Sequence, residues 1–123
     1  MHKFNKYVGN FGENLAENYL KKCGYIILDR NFKCKIGEID IIALDKDYIT
    51  FIEVKSRYSL YYGHPCECIK YNKIKKIYKT AQFYILKKKL FKNKFRFDVI
   101  EIILNKNTDN YSINLIKNAF QIN

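Results

Sequence analysis

Apolar residues recur at helical spacing near the start of the chain. Val8, Phe11, Leu15, Tyr19 and Leu20 share one face, and Gly24 supplies a stop, which predicts a helix over residues 8–22. A short strand-like stretch follows from Tyr25 to Phe32. Two stronger strand candidates, Glu38–Leu44 and Tyr48–Lys55, are separated only by Asp45-Lys46-Asp47, the pattern of a hairpin. Residues 59–66, with Gly63 and the single proline Pro65, read as loop. A long amphipathic helix is predicted from Glu67 to Leu90. Ile74, Ile77, Tyr78, Ala81, Tyr84 and Ile85 form its apolar stripe, and Lys73, Lys75, Lys76 and Lys79 lie off it. Phe95–Leu104 and Tyr111–Ile116 complete the set as strands. The order αβββαββ predicts an α/β domain with a mixed sheet flanked by helices. Nothing marks a linker or repeat, so residues 1–123 are expected to form one domain.

Composition adds limits. The chain is 48 % apolar and 16 % aromatic, which excludes wholesale disorder, and 123 residues suffice for a core without disulfide staples. No apolar run reaches the length of a membrane span, and the basic start Met1–Lys6 has no apolar segment behind it. A cytoplasmic protein with Cys23, Cys34, Cys66 and Cys68 as reduced thiols is expected. The net charge of +11 favours a polyanionic partner, nucleic acid being the common one. The 20 Lys against 3 Arg, with abundant Asn, Ile and Tyr, also fit an AT-rich coding bias, so placement of the charge matters more than its sum. Placement is uneven. Eleven Lys or Arg and no acid lie between Cys68 and Phe97, while most of the 12 acids come earlier. Acids to hold a metal beside bases to hold phosphates are what a nuclease needs.

The predicted hairpin carries the chemistry. Asp40, Glu53 and Lys55 sit within strands so apolar that they read as central and buried, where charges need partners. If Asp45 pairs with Tyr48 and Leu44 with Ile49, Asp40 comes opposite Glu53 and Glu38 opposite Lys55, on one face. Two carboxylates with Cβ atoms about 5 Å apart call for a shared proton or a cation. Hard oxygen donors in a partly open acidic pocket suit Mg²⁺ or Mn²⁺. Spacing alone leaves an ordinary salt bridge between Lys55 and one acid as the alternative.

An Asp on one strand followed by Glu-x-Lys on the next resembles the PD-(D/E)XK nuclease signature, present here as Asp40 and Glu53-Val54-Lys55. More narrowly, the chain resembles the YraN-like family. The landmarks run in order: Gly12-Glu13 with Ala16, Tyr19 and Leu20; Gly24-Tyr25; Arg30-Asn31; Gly37–Asp40; Phe51–Arg57; Gly63, Pro65, Lys73 and Ala81; Arg96–Val99; and Asn118-Ala119-Phe120. The resemblance implies a restriction-endonuclease-like fold, similar to archaeal Holliday-junction resolvases. It also implies metal-dependent phosphodiester hydrolysis, with structured nucleic acid, DNA before RNA, as the expected substrate and a homodimer as the expected assembly. Ile39 replaces the proline of the superfamily's name, a position that carries no chemistry.

On this reading Asp40 and Glu53 bind the metal, with the Val54 carbonyl as a further ligand, and Lys55 orients the attacking water or offsets charge on the phosphate. Glu13 resembles a helix carboxylate that approaches the metal in resolvase-like proteins; Asn10-x-x-Glu13 also reads as a capping box. Glu38 either supports the site or pairs with Lys55. Arg57, Lys73, Lys76 and Lys79 are the phosphate-contact candidates, each with a solvated face as its alternative. Gln82, on one helical face with Lys75 and Lys79, is a weaker candidate. Tyr61, Tyr62, Phe83, Phe91 and Phe95 either stack on bases or pack in the core. Asp98 is expected to be structural, paired with Arg96 or a helix lysine. His64, Cys66, Cys68 and Cys34 lack zinc-ligand spacing and are expected to be unmetallated. A nucleic-acid-binding module without turnover, and a plain assembly protein, are the competing functions.

Overall fold

The computed structural model describes residues 2–58, 70–105 and 107–121, with side chains from Asn10 onward in the first helix. The order is α1 (His2–Lys22), β1 (Ile26–Lys33), β2 (Glu38–Asp45), β3 (Tyr48–Tyr58), α2 (Tyr71–Lys88), β4 (Lys94–Leu104) and β5 (Tyr111–Ile116). α1 begins earlier than its apolar periodicity. α2 starts at Tyr71, after extended Lys70, and stops at Lys88 rather than Leu90. Lys89 turns left-handed there (φ 56°) and donates its N–H to the carbonyls of Ile85 and Leu86. The expected loop at 59–66 and the expected helix start at Glu67 lie outside the described residues.

The five strands form one mixed sheet in the order β1-β2-β3-β4-β5. Among the described strands only β3 and β4 are parallel, paired from Tyr48↔Lys94 to Tyr58↔Leu104. A parallel pair needs a long crossover, and α2 lies within it. The helices cover opposite faces. Ala16 and Leu20 of α1 pack with Ile41, Ile52, Ile100 and Ile102. Ile77, Ala81 and Tyr84 of α2 pack with Ile42, Ile49 and Phe51. β3 is therefore central and apolar on both faces, as its sequence requires. The fold is α/β and restriction-endonuclease-like. Among the described residues no helix is long and apolar enough to cross a membrane.

Two features fix the strands that flank the centre. In β1 the register against β2 shifts between Ile27 and Asp29. Consecutive side chains of a strand point to opposite faces, and the bulge sets which face each takes: Asp29 accepts from the Tyr84 hydroxyl at 2.9 Å, and Arg30 reaches Asn14, Glu13 and Glu17 on α1. At the start of β4, Arg96 donates to Asp98, Asp45 and the Tyr25 hydroxyl at 2.7–3.0 Å. Asp98 is fully buried, and it also accepts from Tyr25 and from the Asn118 amide. Asp98 is thus structural and paired with Arg96, as expected. Ala119 donates its amide to the Phe97 carbonyl and Phe120 stacks on Phe97, so Asn118-Ala119-Phe120 is a clasp over β4.

α1 lies against β3 at Gly12. A Cβ there would stand 1.8 Å from Ser56 Oγ and 2.8 Å from Ser56 Cβ. Helix propensity alone would make Gly12→Ala stabilising by up to about 1 kcal/mol. The contact reverses the sign, because Ser56 Cβ cannot rotate away. Gly12→Ala should lower stability by roughly 1–3 kcal/mol in urea unfolding, with partial recovery on adding Ser56→Gly.

Candidate active site

The hairpin closes as its sequence predicts, through left-handed Lys46 (φ 57°), with Asp45 opposite Tyr48 and Ile41 opposite Ile52. Pairing between β2 and β3 ends at Ile41↔Ile52, one step before Asp40. Regular alternation breaks there too: Ile41 packs on the α1 side and Ile39 on the α2 side. The Val54 amide donates instead to the Asp40 carboxylate, at 2.8 Å. A side chain thus replaces a rung of the ladder and satisfies an amide that would otherwise be costly to bury.

Burial raises the pKa of Asp40, Glu53 adds to the rise, and the Val54 amide opposes it; the result is about 7. Glu53 itself is 7 % exposed and is held by two lysines. Lys55, two residues on along β3, lies 3.7 Å from it. Lys73, from the first turns of α2, binds it at 2.5 Å. Burial and the neighbouring Lys73 lower the pKa of Lys55. Burial works against the charge of Lys73 as well, but the bond to Glu53 outweighs it and its pKa is raised. Two acids and two ammonium groups therefore meet where β2 leaves β3, at the start of α2.

From the α1 side, Glu13 contributes to the raised pKa of Asp40. Its own partner is Arg30, at 3.3 Å. The capping-box reading of Asn10 and Glu13 is overturned. Both residues lie inside a helix that starts at His2, so neither meets the free amides of a helix end. The pairing of Glu38 with Lys55 is overturned as well: Glu38 is exposed and lies 3.8 Å from Lys33, its neighbour across the β1–β2 ladder.

The match to known proteins is extensive. A family model described as "Uncharacterised protein family UPF0102" covers residues 12–102. A UPF0102 protein of Clostridium botulinum (strain Hall) is 64 % identical over 123 residues, covering 99 % of this chain and all of its own. UPF0102 proteins of Clostridium kluyveri and Clostridium acetobutylicum are 63 % and 60 % identical over 122 residues, with the same coverage. The chain belongs to the UPF0102 family.

The remaining candidates of this UPF0102 protein divide clearly. Arg57 follows Glu53 and Lys55 on the same face of β3 and is half-buried. Lys76 and Lys79 are exposed on α2. Lys73, also a phosphate-contact candidate, joins the charge cluster through Glu53. Tyr61, Tyr62, His64, Cys66 and Cys68 lie outside the described residues. Glu101 was missed: it is 6 % exposed on β4 and pairs in register with Lys55. Its signal was legible, an acid between isoleucines in a strand, the same pattern that marked Glu53.

Among the described residues no three His, Cys, Asp or Glu side chains are grouped so as to hold a metal ion. Magnesium keeps several waters and needs only one or two carboxylates, and Asp40 and Glu53 are two.

The linkage has a definite sign. With its pKa moved from 3.8 to about 7, Asp40 holds its proton in the folded protein over a range where the unfolded chain has released it. Its contribution to stability is therefore full below pH 3.8 and is lost as pH rises through about 7. In EDTA, Asp40→Asn should gain on the parent protein by on the order of 1–3 kcal/mol between acid and mildly alkaline pH, measured by paired urea titrations. A constant difference would mean that Asp40 titrates normally.

Proposed function

We propose that this protein is a metal-dependent endonuclease acting on structured nucleic acid, DNA before RNA. The observation that carries the reading is the meeting of Asp40, Glu53 and Lys55 at the fork between β2 and β3. Asp40, Glu53 and the Val54 carbonyl would hold Mg²⁺ or Mn²⁺. When bound, the ion supplies Lewis-acid stabilisation of a phosphoryl oxygen and lowers the pKa of a coordinated water.

The protein's own groups do the rest. Lys55 orients the attacking water and offsets charge that builds on the phosphate. Lys73 neutralises Glu53, and with Glu53 on the ion its ammonium would be free to face a substrate phosphate. Glu13 helps set the charge on Asp40, with Arg30 holding it in position. Arg57, Lys76 and Lys79 contact the backbone, which gives salt-dependent affinity. The setting is the cytoplasm. Cleavage of two strands of a branched substrate calls for two such sites, hence a pair of chains.

Calorimetry is the first test: magnesium should bind the parent protein and not Asp40→Asn. On labelled branched DNA and RNA, Lys55→Ala should then cut about 10²- to 10³-fold more slowly. Cleavage by Lys55→Ala at the parent rate would sink the assignment. Salt-dependent binding without metal uptake or cleavage would leave a nucleic-acid-binding module that keeps a nuclease fold.

A further inference from the structure

Beyond the carboxylate site, a cavity of about 480 Å³ opens between the second half of α2 and the start of β4. That volume lies within the range of small-ligand pockets. Phe51, Phe95 and Phe97 of the sheet, Tyr78 of α2 and Phe91 of the following turn line it, and Gln82 adds an amide. The floor is a set of ring faces: Phe51 lies 5.6 Å from Phe97 and 6.4 Å from Phe95, and Tyr78 lies 6.0 Å from Phe97. Phe91, on the rim, is 63 % exposed, although exposing so large an apolar side chain is unfavourable.

The surroundings are basic. The run from Cys68 to Phe97 has eleven Lys or Arg and no acid, so the rim has no carboxylate from this segment. Lys75, Lys79 and Gln82 follow one another at four- and three-residue spacing on one face of α2. This ridge leads from the end of the helix that carries Lys73 to the mouth of the cavity. From Lys73 to Gln82 the helix rises about 14 Å. A stacked strand spans that distance in about four nucleotides.

We propose that this cavity is a subsite for an unpaired nucleobase of the substrate, with the ridge lysines on the phosphates that lead to it. The assignment rests on the nuclease reading above and deepens it: the substrate would carry a single-stranded segment a few nucleotides from the scissile phosphate. Ring faces take any base by stacking, and the Gln82 amide can both donate to and accept from a base edge. An amphipathic helix of a partner protein would fill the same apolar space. The segment that forms α2 and the turn after it is lysine-rich and free of acids, which favours the polyanion.

The test is binding in EDTA, where no turnover occurs, of a short labelled single strand and of the same strand paired as a duplex. Phe91→Ala should weaken the single strand about five- to a hundredfold and leave the duplex unchanged. Phe91→Tyr should retain affinity and Phe91→Leu should not, since the ring face is what matters. In strands lacking one base each, a single position should reproduce the loss in the parent protein and add nothing in Phe91→Ala. Parent-like single-strand affinity in Phe91→Ala, or full affinity in Phe91→Leu, would overturn the subsite while leaving the nuclease reading intact. So would an acidic amphipathic peptide that binds the parent protein and is lost in Phe91→Ala while strand affinity holds; that would assign the cavity to a protein helix. Failure of the parent protein to bind any nucleic acid at low salt would overturn both readings together.

Discussion

Beyond Ile41 and Ile52 the two strands of the hairpin part, and the amide of Val54 is met by the Asp40 carboxylate instead of a main-chain carbonyl. Much of the molecule follows from that substitution. A buried amide must have an acceptor, so Asp40 is held against β3 by backbone rather than by a flexible side chain. β3 cannot drift in response, because it is zipped to β4 along its whole length and apolar on both faces. The carboxylate is thus fixed at a place where the sheet opens, partly buried and beside Glu53. Rigid elements carry the charged groups, and the β2–β3 ladder ends where those groups stand.

The charges are arranged so that no single partner suffices. Glu53 is answered by Lys55 from its own strand and by Lys73 from the crossover helix. Asp40 has the Val54 amide, and burial with the neighbouring Glu53 raises its proton affinity. Glu13, across the sheet on α1, is tied to Arg30, which the β1 bulge turns towards that helix. Both helices and three strands therefore bear on one small region. Close packing of α1 on β3 at Gly12 sets the distance from the α1 side. The Arg96–Asp98–Tyr25–Asp45 network braces the start of β4.

Much of this was legible in the sequence. A two-residue turn between two apolar runs leaves one sensible register, and Asp45 pairs with Tyr48 as expected. The fold class followed from the alternation of periods, and the Asp40, Glu53 and Lys55 set from charges in otherwise buried strands. Other features were not legible, for physical reasons. Nothing in a two-residue period says where two strands will part, so the ladder's end before Asp40 was hidden. Glu38 was misassigned because its partner comes from β1, whose register depends on a bulge. Asn-x-x-Glu has the same spelling at a helix end and in a helix interior, and only the position of the first turn distinguishes them. Lys73 reads as one more lysine off an apolar stripe until the crossover places it against Glu53.

The bulge in β1 has another effect, at the rim of the sheet. Among the described strands β1 and β5 are the edges of the sheet, where an extended chain could add. At Leu28 the backbone of β1 loses its repeat, so a strand laid along β1 would fall out of step partway and could not continue in register. β5 pairs regularly from Tyr111 to Ile116 and keeps its repeat, but it is only six residues long. One edge is blunted by irregularity and the other by brevity, which guards a strongly aromatic chain against growing into a continuous sheet with its own copies.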